Sequence, residues 1–518
     1  MGGVLVARRN ERARNAPRKE PAIDGYRAWA RRDWLALAIV TLGALLLRLV
    51  DLSHPAGFIF DEIHYARSAC RFVIGTSQCG IGELVSGSYP PLGNWMIGIG
   101  IKLFGFNEFG WRIVSALAGT LTVPILYVLM RRLLTGHVMP VAATIGAAAA
   151  AALLAVDFLH LVQSRVAMLD SFVTLFVIVT VLFAVLDGAR ERDPAGNDAH
   201  ASAWLQRLTL GRPWRLATGL SLGAAAAVKW SGAYMAIGLV ALVVIWEVAS
   251  TPRGGNTSTG SWRAGFTTAL RRELLPSVVL LGLVPLAVYL ASYIGRAHGD
   301  LLAAPWQEGS VWHAIASHQV AMLRFHLGLA GHHPYESPAW SWLLLKRPAA
   351  YSFATDSAGY REVLALGNPL TWWTGAVALL GLAVGWVRRG AGLARPEPVL
   401  LAGALGTYLP WLVLSGARSQ VFIWYILPSI PFLYGALGLL AASAWGSLRG
   451  RVAVGLAGVA VLASFAFFYP ILTGQATTPD EWRTRIWFTD CSRPGAPTLT
   501  VPDDEISTGP PPSGWCWI

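Results

Sequence analysis

One feature repeats along this chain of 518 residues: uninterrupted apolar runs about as long as a bilayer core is thick. Such a core needs about 20 apolar residues per helix, and these runs lack the polar stripe of a surface helix. Only 14% of the residues are charged, against about 25% in soluble domains. The runs at 34–51, 111–130, 138–156, 169–187, 214–229, 231–249, 274–294, 370–387, 398–415, 420–445 and 452–470 are expected to span a membrane. The expected fold class is therefore an all-α polytopic membrane protein with about eleven transmembrane helices. The stretch 92–104 is apolar but short, and is expected to lie along the membrane surface.

Charge sets the orientation. Basic residues crowd the tail 1–33, Arg131/Arg132, 188–213, 251–272, Arg388/Arg389/Arg395 and Arg449/Arg451. With eleven crossings all of these fall on one side, which the positive-inside rule makes cytoplasmic. The net charge of +12 thus reads as topology and not as nucleic-acid binding. The expected organisation is a basic cytoplasmic tail (1–33), a transmembrane catalytic domain (34–470) and an external tail (471–518). Most non-membrane mass lies outside, in a first loop (52–110), a large loop (295–369) and that tail, so chemistry is expected there. The four cysteines fall on the same oxidising face, where disulfides form. The pairs Cys70–Cys79 and Cys491–Cys516 are the local choices, with other pairings and free thiols left open. Nothing resembles a cleaved leader, so the first span is expected to stay as an anchor.

At the external exit of the first span stands Phe60-Asp61-Glu62-Ile63-His64-Tyr65. Adjacent carboxylates diverge, so one is expected to act and the other to support it. Partners occur elsewhere on the same side. Pro90 and Pro91 stiffen the entry to 92–104. Arg112 opens a span, and it can pair with Asp61 or Glu62, hold a phosphate, or simply reach toward water. Arg165 and Asp170 flank a turn at the edge of the hydrocarbon, where ionisable groups are costly. Lys229, one of few lysines, ends an apolar helix and suits a lipid phosphate. His333, Tyr335 and Trp340 mix rings and polar groups in a manner that suits a sugar. Adjacent histidines diverge and no ligand spacing recurs, so no metal site is assigned.

These segments, taken in order, resemble the protein O-mannosyltransferases, membrane glycosyltransferases of the GT-C fold. The matching stretches are the 60–65 motif, Tyr89-Pro90-Pro91-Leu92-Gly93, Arg112, Ser164-Arg165 with Leu169-Asp170, Val228-Lys229-Trp230-Ser231-Gly232, and His333-Pro334-Tyr335 with Trp340. Gly367-Asn368-Pro369 with Trp372-Trp373, and Trp424-Tyr425-Ile426-Leu427-Pro428, continue the order. The large loop is too short for the β-trefoil MIR domain of eukaryotic members, which points to the bacterial, actinobacterial-type branch. Asn94 and Trp424 also stand where eukaryotic members often carry Lys and His.

The resemblance implies transfer of mannose from polyprenyl-phosphate-mannose to Ser or Thr hydroxyls of secreted proteins, with inversion at the anomeric carbon. It implies Asp61 as the base, with Glu62 as a helper. Lys229, Arg165 and Arg112 are expected to hold the donor phosphate, and Asp170 to hold Arg165. His64, Tyr65, Pro90, Pro91, His333, Tyr335 and Trp340 are expected to shape the groove. The leaving phosphate is already a stable anion, so one base and a cationic clamp suffice, unlike the two carboxyls of a glycosidase. No cofactor beyond the lipid-linked donor is implied, and dependence on a divalent metal is open. Expected partners are the donor, the protein acceptor, membrane lipids and, by resemblance, the Sec translocon. Two rivals remain: a lipid-linked sugar transferase acting on a glycolipid or polysaccharide, and a transporter or flippase. A transporter would place its ionisable residues mid-span, whereas these cluster at the external edge.

Overall fold

The computed structural model describes residues 29–74, 79, 88–191, 212–250, 274–294, 311–328, 333, 335–388, 395–416 and 420–487. Each of the eleven expected segments is helical. They are α1 (Arg31–Leu49), α4 (Glu108–Leu134), α5 (Pro140–Ala155), α7 (Leu169–Glu191), α8 (Pro213–Val228), α9 (Met235–Ser250), α10 (Leu274–Ala291), α12 (Pro369–Arg388), α13 (Pro396–Leu414), α14 (Ile430–Ala444) and α15 (Leu448–Thr473). Between them lie α2 (Glu62–Val73), α3 (Leu92–Phe104), α6 (Phe158–Arg165) and α11 (Val311–Gly328). Seven of the described helical spans are long and apolar enough to cross a membrane, and the bent pair α5/α6 makes an eighth. The remaining three fall short for plain reasons. α1 carries Arg31, Arg32, Asp33 and Arg48, and α8 and α9 are 16 residues each.

Burial sorts the helices. α7 and the span containing α14 are 78% buried over their apolar windows, whereas α15 is 17% and α10 6% buried. Lipid tails are as apolar as leucine, so the central helices are held by close approach and polar pairing. Where α5 meets α14, Gly146 and Gly438 face each other, and a Cβ on Gly146 would come within 2.6 Å of the Gly438 carbonyl oxygen. Asp33 of α1 ties α4 and α5 together through Arg131 (2.7 Å) and Thr144 (2.5 Å).

The large loop is not all helical. A hairpin, β1 (Ala349–Asp356) and β2 (Gly359–Ala365), pairs antiparallel from Asp356 opposite Gly359 to Ala349 opposite Ala365. Residues beyond α15 return to it: β3 (Ala476–Thr477) pairs with β2, and Trp482 of α16 (Pro479–Arg483) donates to Glu362 at 2.7 Å. Residues 474–487 are therefore built onto the large loop. The expected Cys70–Cys79 disulfide is present, while Cys491 and Cys516 lie outside the described residues.

Candidate active site

Asp61 and Glu62 begin α2 and part at once. The Glu62 side chain is buried and its carboxylate is saturated. Arg112 grips it with Nε and Nη2, both at 2.8 Å, and the backbone N–H groups of Ile59 and Ala167 donate to it at 2.9 Å. The other N–H groups of Arg112 go to the carbonyls of Leu52 (3.2 Å), Pro55 (2.8 Å) and Gly57 (2.9 Å). A guanidinium has five donors. All are engaged, which leaves none for a phosphate and corrects the expectation for Arg112. The pair works instead as a knot that fixes the first loop against α4 and the turn before α7.

Arg165 is likewise occupied. It donates to the carbonyls of Leu47 (3.1 Å), Arg48 (3.3 Å), Val50 (2.7 Å) and Asp51 (2.8 Å). These carbonyls lie at and just beyond the end of α1, where helical partners run out, so Arg165 caps that helix through Nη1 and Nη2. Asp170 does not hold it, contrary to the expectation from the sequence. Asp170 pairs with Lys229, whose Nζ lies 3.0 Å from Oδ1 and 3.1 Å from Oδ2.

Lys229 ends α8 in extended backbone before a 3-10 turn, Trp230–Tyr234. Gly232 closes that turn through a 2.8 Å bond from its N–H to the Lys229 carbonyl, and a Cβ there would strike the Ala225 carbonyl. The Lys-Trp-Ser-Gly motif thereby aims the ammonium inward. It sits over the rings of Tyr425 (4.2 Å) and Tyr89 (5.4 Å), and is only 5% exposed.

Asp61 contrasts with its neighbour. It is the N-cap of α2 but makes no side-chain capping bond, and it keeps partial solvent access. Burial pushes its carboxyl up to about 6, with the Lys229 charge opposing the rise and the Asp170 charge adding to it. The carboxylate thus lies within electrostatic reach of a held ammonium and, among the described residues, has no capping bond of its own. Burial raises the Tyr65 hydroxyl well above the usual range, and Tyr89, Asp61 and Asp170 add to the rise. Tyr65 also meets the Tyr89 ring edge-on at 5.7 Å.

Rings build the wall. Phe60 stacks on Tyr351 of β1 (4.4 Å) and meets Trp424 edge-on (5.2 Å). Trp424 stacks on Phe422 (4.3 Å), and Phe422 meets His333 (5.1 Å). His333 and Tyr335 therefore reach Asp61 only through a second layer. His333 accepts at Nδ1 from the Tyr335 N–H, and burial lowers its basicity. Trp340 is 59% exposed and pairs with Lys346 (5.6 Å), apart from this cluster. His64 is half-buried, with burial and Arg67 lowering its basicity. Pro90 and Pro91 are buried at the start of α3, setting Tyr89 under Lys229. Among the described residues no group of three or more His, Cys, Asp and Glu is placed to hold a metal ion. Tyr351 was not singled out from the sequence, and Tyr425 was noted only within a motif. No spacing marks the first, whereas the Trp-Tyr pair at 424–425 could have flagged the second.

A carboxylate within electrostatic reach of a buried ammonium, on a bundle of long apolar helices, is an arrangement suited to a membrane enzyme that acts on a lipid-borne substrate. Comparison with known proteins narrows the class. Two family models cover most of the chain: the dolichyl-phosphate-mannose-protein mannosyltransferase model over residues 38–298, and the C-terminal four-transmembrane region of protein O-mannosyltransferase over 311–491. The polyprenol-phosphate-mannose–protein mannosyltransferase of Mycobacterium tuberculosis is 32% identical over 506 residues, covering 88% of this chain and 91% of that one. Its Corynebacterium glutamicum counterpart is 28% identical over 510 residues, covering 89% and 94%. The Saccharomyces cerevisiae protein O-mannosyltransferase Pmt1-Pmt2 complex bound to the sugar donor has the same fold, with a TM-score of 0.66 at 16% identity over 89% of this chain and 92% of that one. The chain belongs to the protein O-mannosyltransferase family.

Proposed function

We propose that this protein transfers mannose from polyprenyl-phosphate-mannose to Ser or Thr hydroxyls of proteins on the external side of the membrane. The observation that carries the reading is the Asp61 carboxylate, without a capping bond and within electrostatic reach of the Lys229–Asp170 pair. The acceptor hydroxyl oxygen forms a bond to C1 of mannose as the bond from C1 to the phosphate oxygen breaks. Asp61 takes the hydroxyl proton, and inversion follows from attack opposite the leaving group. The polyprenyl phosphate leaves with an added negative charge. Lys229 is the cation placed to stabilise it, in a site where water no longer screens the interaction. Asp170 holds the ammonium in place before the phosphate arrives. The lipid tail lies among the apolar helices, whose burial supplies donor affinity.

The charge asymmetry of the sequence supports eleven crossings, with the N-terminus cytoplasmic and the site outside. Association with the translocon fits a site that meets acceptors as they emerge. The test is incubation of membranes with labelled polyprenyl-phosphate-mannose and a peptide rich in Ser, Thr and Pro. Label in the peptide, lost in Asp61→Asn, supports the reading. Label only in lipid or polysaccharide overturns it.

A further inference from the structure

The backbone that aims Asp61 is held in an unfavourable state. Phe60, directly before it, has φ near 50°, a left-handed conformation that bulky residues rarely adopt and that its surroundings must enforce. The Ile59 N–H bound to Glu62 and the Glu62–Arg112 knot fix the chain on either side. The Phe60 ring itself is held by the large loop. It lies against Tyr351 at 4.4 Å with the planes 5° apart, and Trp424 closes the edge of both rings.

Tyr351 is fully buried and is fixed in turn. Gln163 Nε2 donates to its hydroxyl oxygen at 2.5 Å. A phenol that accepts there still has its own proton to give. The charges within its electrostatic reach are Asp61 and Asp170, together with the Tyr425 hydroxyl. Gln163 belongs to α6, four residues before the Ala167 N–H that binds Glu62.

We propose that Tyr351 is a positioning residue for the base. Its ring, seated by the Gln163 bond to its hydroxyl, holds Phe60 and through it the strained backbone that carries Asp61. The hairpin of the large loop is thereby part of the catalytic apparatus, though it supplies no group that touches the reacting atoms. This inference rests on Asp61 being the base.

The experiment uses the full-length enzyme in membranes, with steady-state rates normalised to folded protein and measured across pH. Tyr351→Leu removes ring and hydroxyl, and kcat is expected to fall about 10²-fold with the donor KM little changed. Tyr351→Phe keeps the stack, so most of kcat is expected to survive. Its acidic limb is expected to stay in place, because the ring positions the backbone of the carboxylate and makes no bond to it. The groups facing that carboxylate are Lys229 from the end of α8, Asp170 from α7, Tyr65 from α2 and Tyr351 from β1. If kcat of the Leu variant is near normal, or if the Phe variant loses as much as the Leu variant, the positioning role is wrong. Full activity in Asp61→Asn would instead remove the base assignment, whatever the Tyr351 variants do.

Discussion

Two charged constellations stand side by side at one end of this bundle, and they are built on opposite principles. In the Glu62–Arg112 knot both side chains are buried, every guanidinium donor is engaged, and the carboxylate accepts four bonds. In the Asp61–Lys229–Asp170 cluster one carboxylate holds the ammonium and the other makes no such bond. The first arrangement has no capacity left for a substrate. The second sets a carboxylate without a capping bond within electrostatic reach of a cation held by one partner. Satisfied charge is structure and unsatisfied charge is chemistry, and here one peptide bond separates them.

The largest expected effect breaks the second constellation. Asp61→Asn should lower mannosyl transfer by about 10²–10⁴-fold, measured with labelled donor and peptide, without loss of thermal stability. The carboxyl is raised to about 6 by the fold. Folding therefore disfavours the ionised form, stability falls as pH rises toward and through 6, and Asn escapes that cost. Next comes Lys229→Ala, expected to lose about 10²-fold in kcat/KM, with the loss following the donor rather than the acceptor. It also leaves Asp170 buried without its cation, so Lys229→Ala with Asp170→Asn should recover stability and not activity. A donor-independent loss would remove the phosphate role.

The first constellation breaks differently. Arg112→Met leaves the Glu62 carboxylate buried and unpaired, which should cost about 3–5 kcal/mol and show as a lost folded fraction in detergent. Whatever folds should still carry out transfer with near-normal donor KM. The smallest effect is that of pH. Transfer by the unaltered enzyme should rise about tenfold between pH 5 and pH 7, as Asp61 loses its proton near 6. A flat profile would mean that another group limits the rate.

The apolar runs marked the helices because a bilayer permits little else, and Lys229 could be singled out by its place at the end of one of them. The arginines were harder to read. Arg112 and Arg165 spend their donors largely on main-chain carbonyls of 47–57. Every residue carries a carbonyl, so no side-chain pattern marks which ones an arginine will meet. The exchange of Arg165 for Lys229 as the partner of Asp170 has a similar cause. The arginine is nearer in sequence, but α7 packs against α8, and that packing decides the pair. The β1–β2 hairpin lay in a loop with no turn signal strong enough to draw it, and Tyr351 was hidden with it.

The central claim is that Asp61 acts and Glu62 holds. Asp61→Asn and Glu62→Gln, purified side by side, should be compared for thermal midpoint and for transfer rate per folded molecule. The expected result is an Asp61 variant that is stable and inactive, and a Glu62 variant that is unstable yet active in its folded fraction. A stable, active Asp61→Asn enzyme would contradict it.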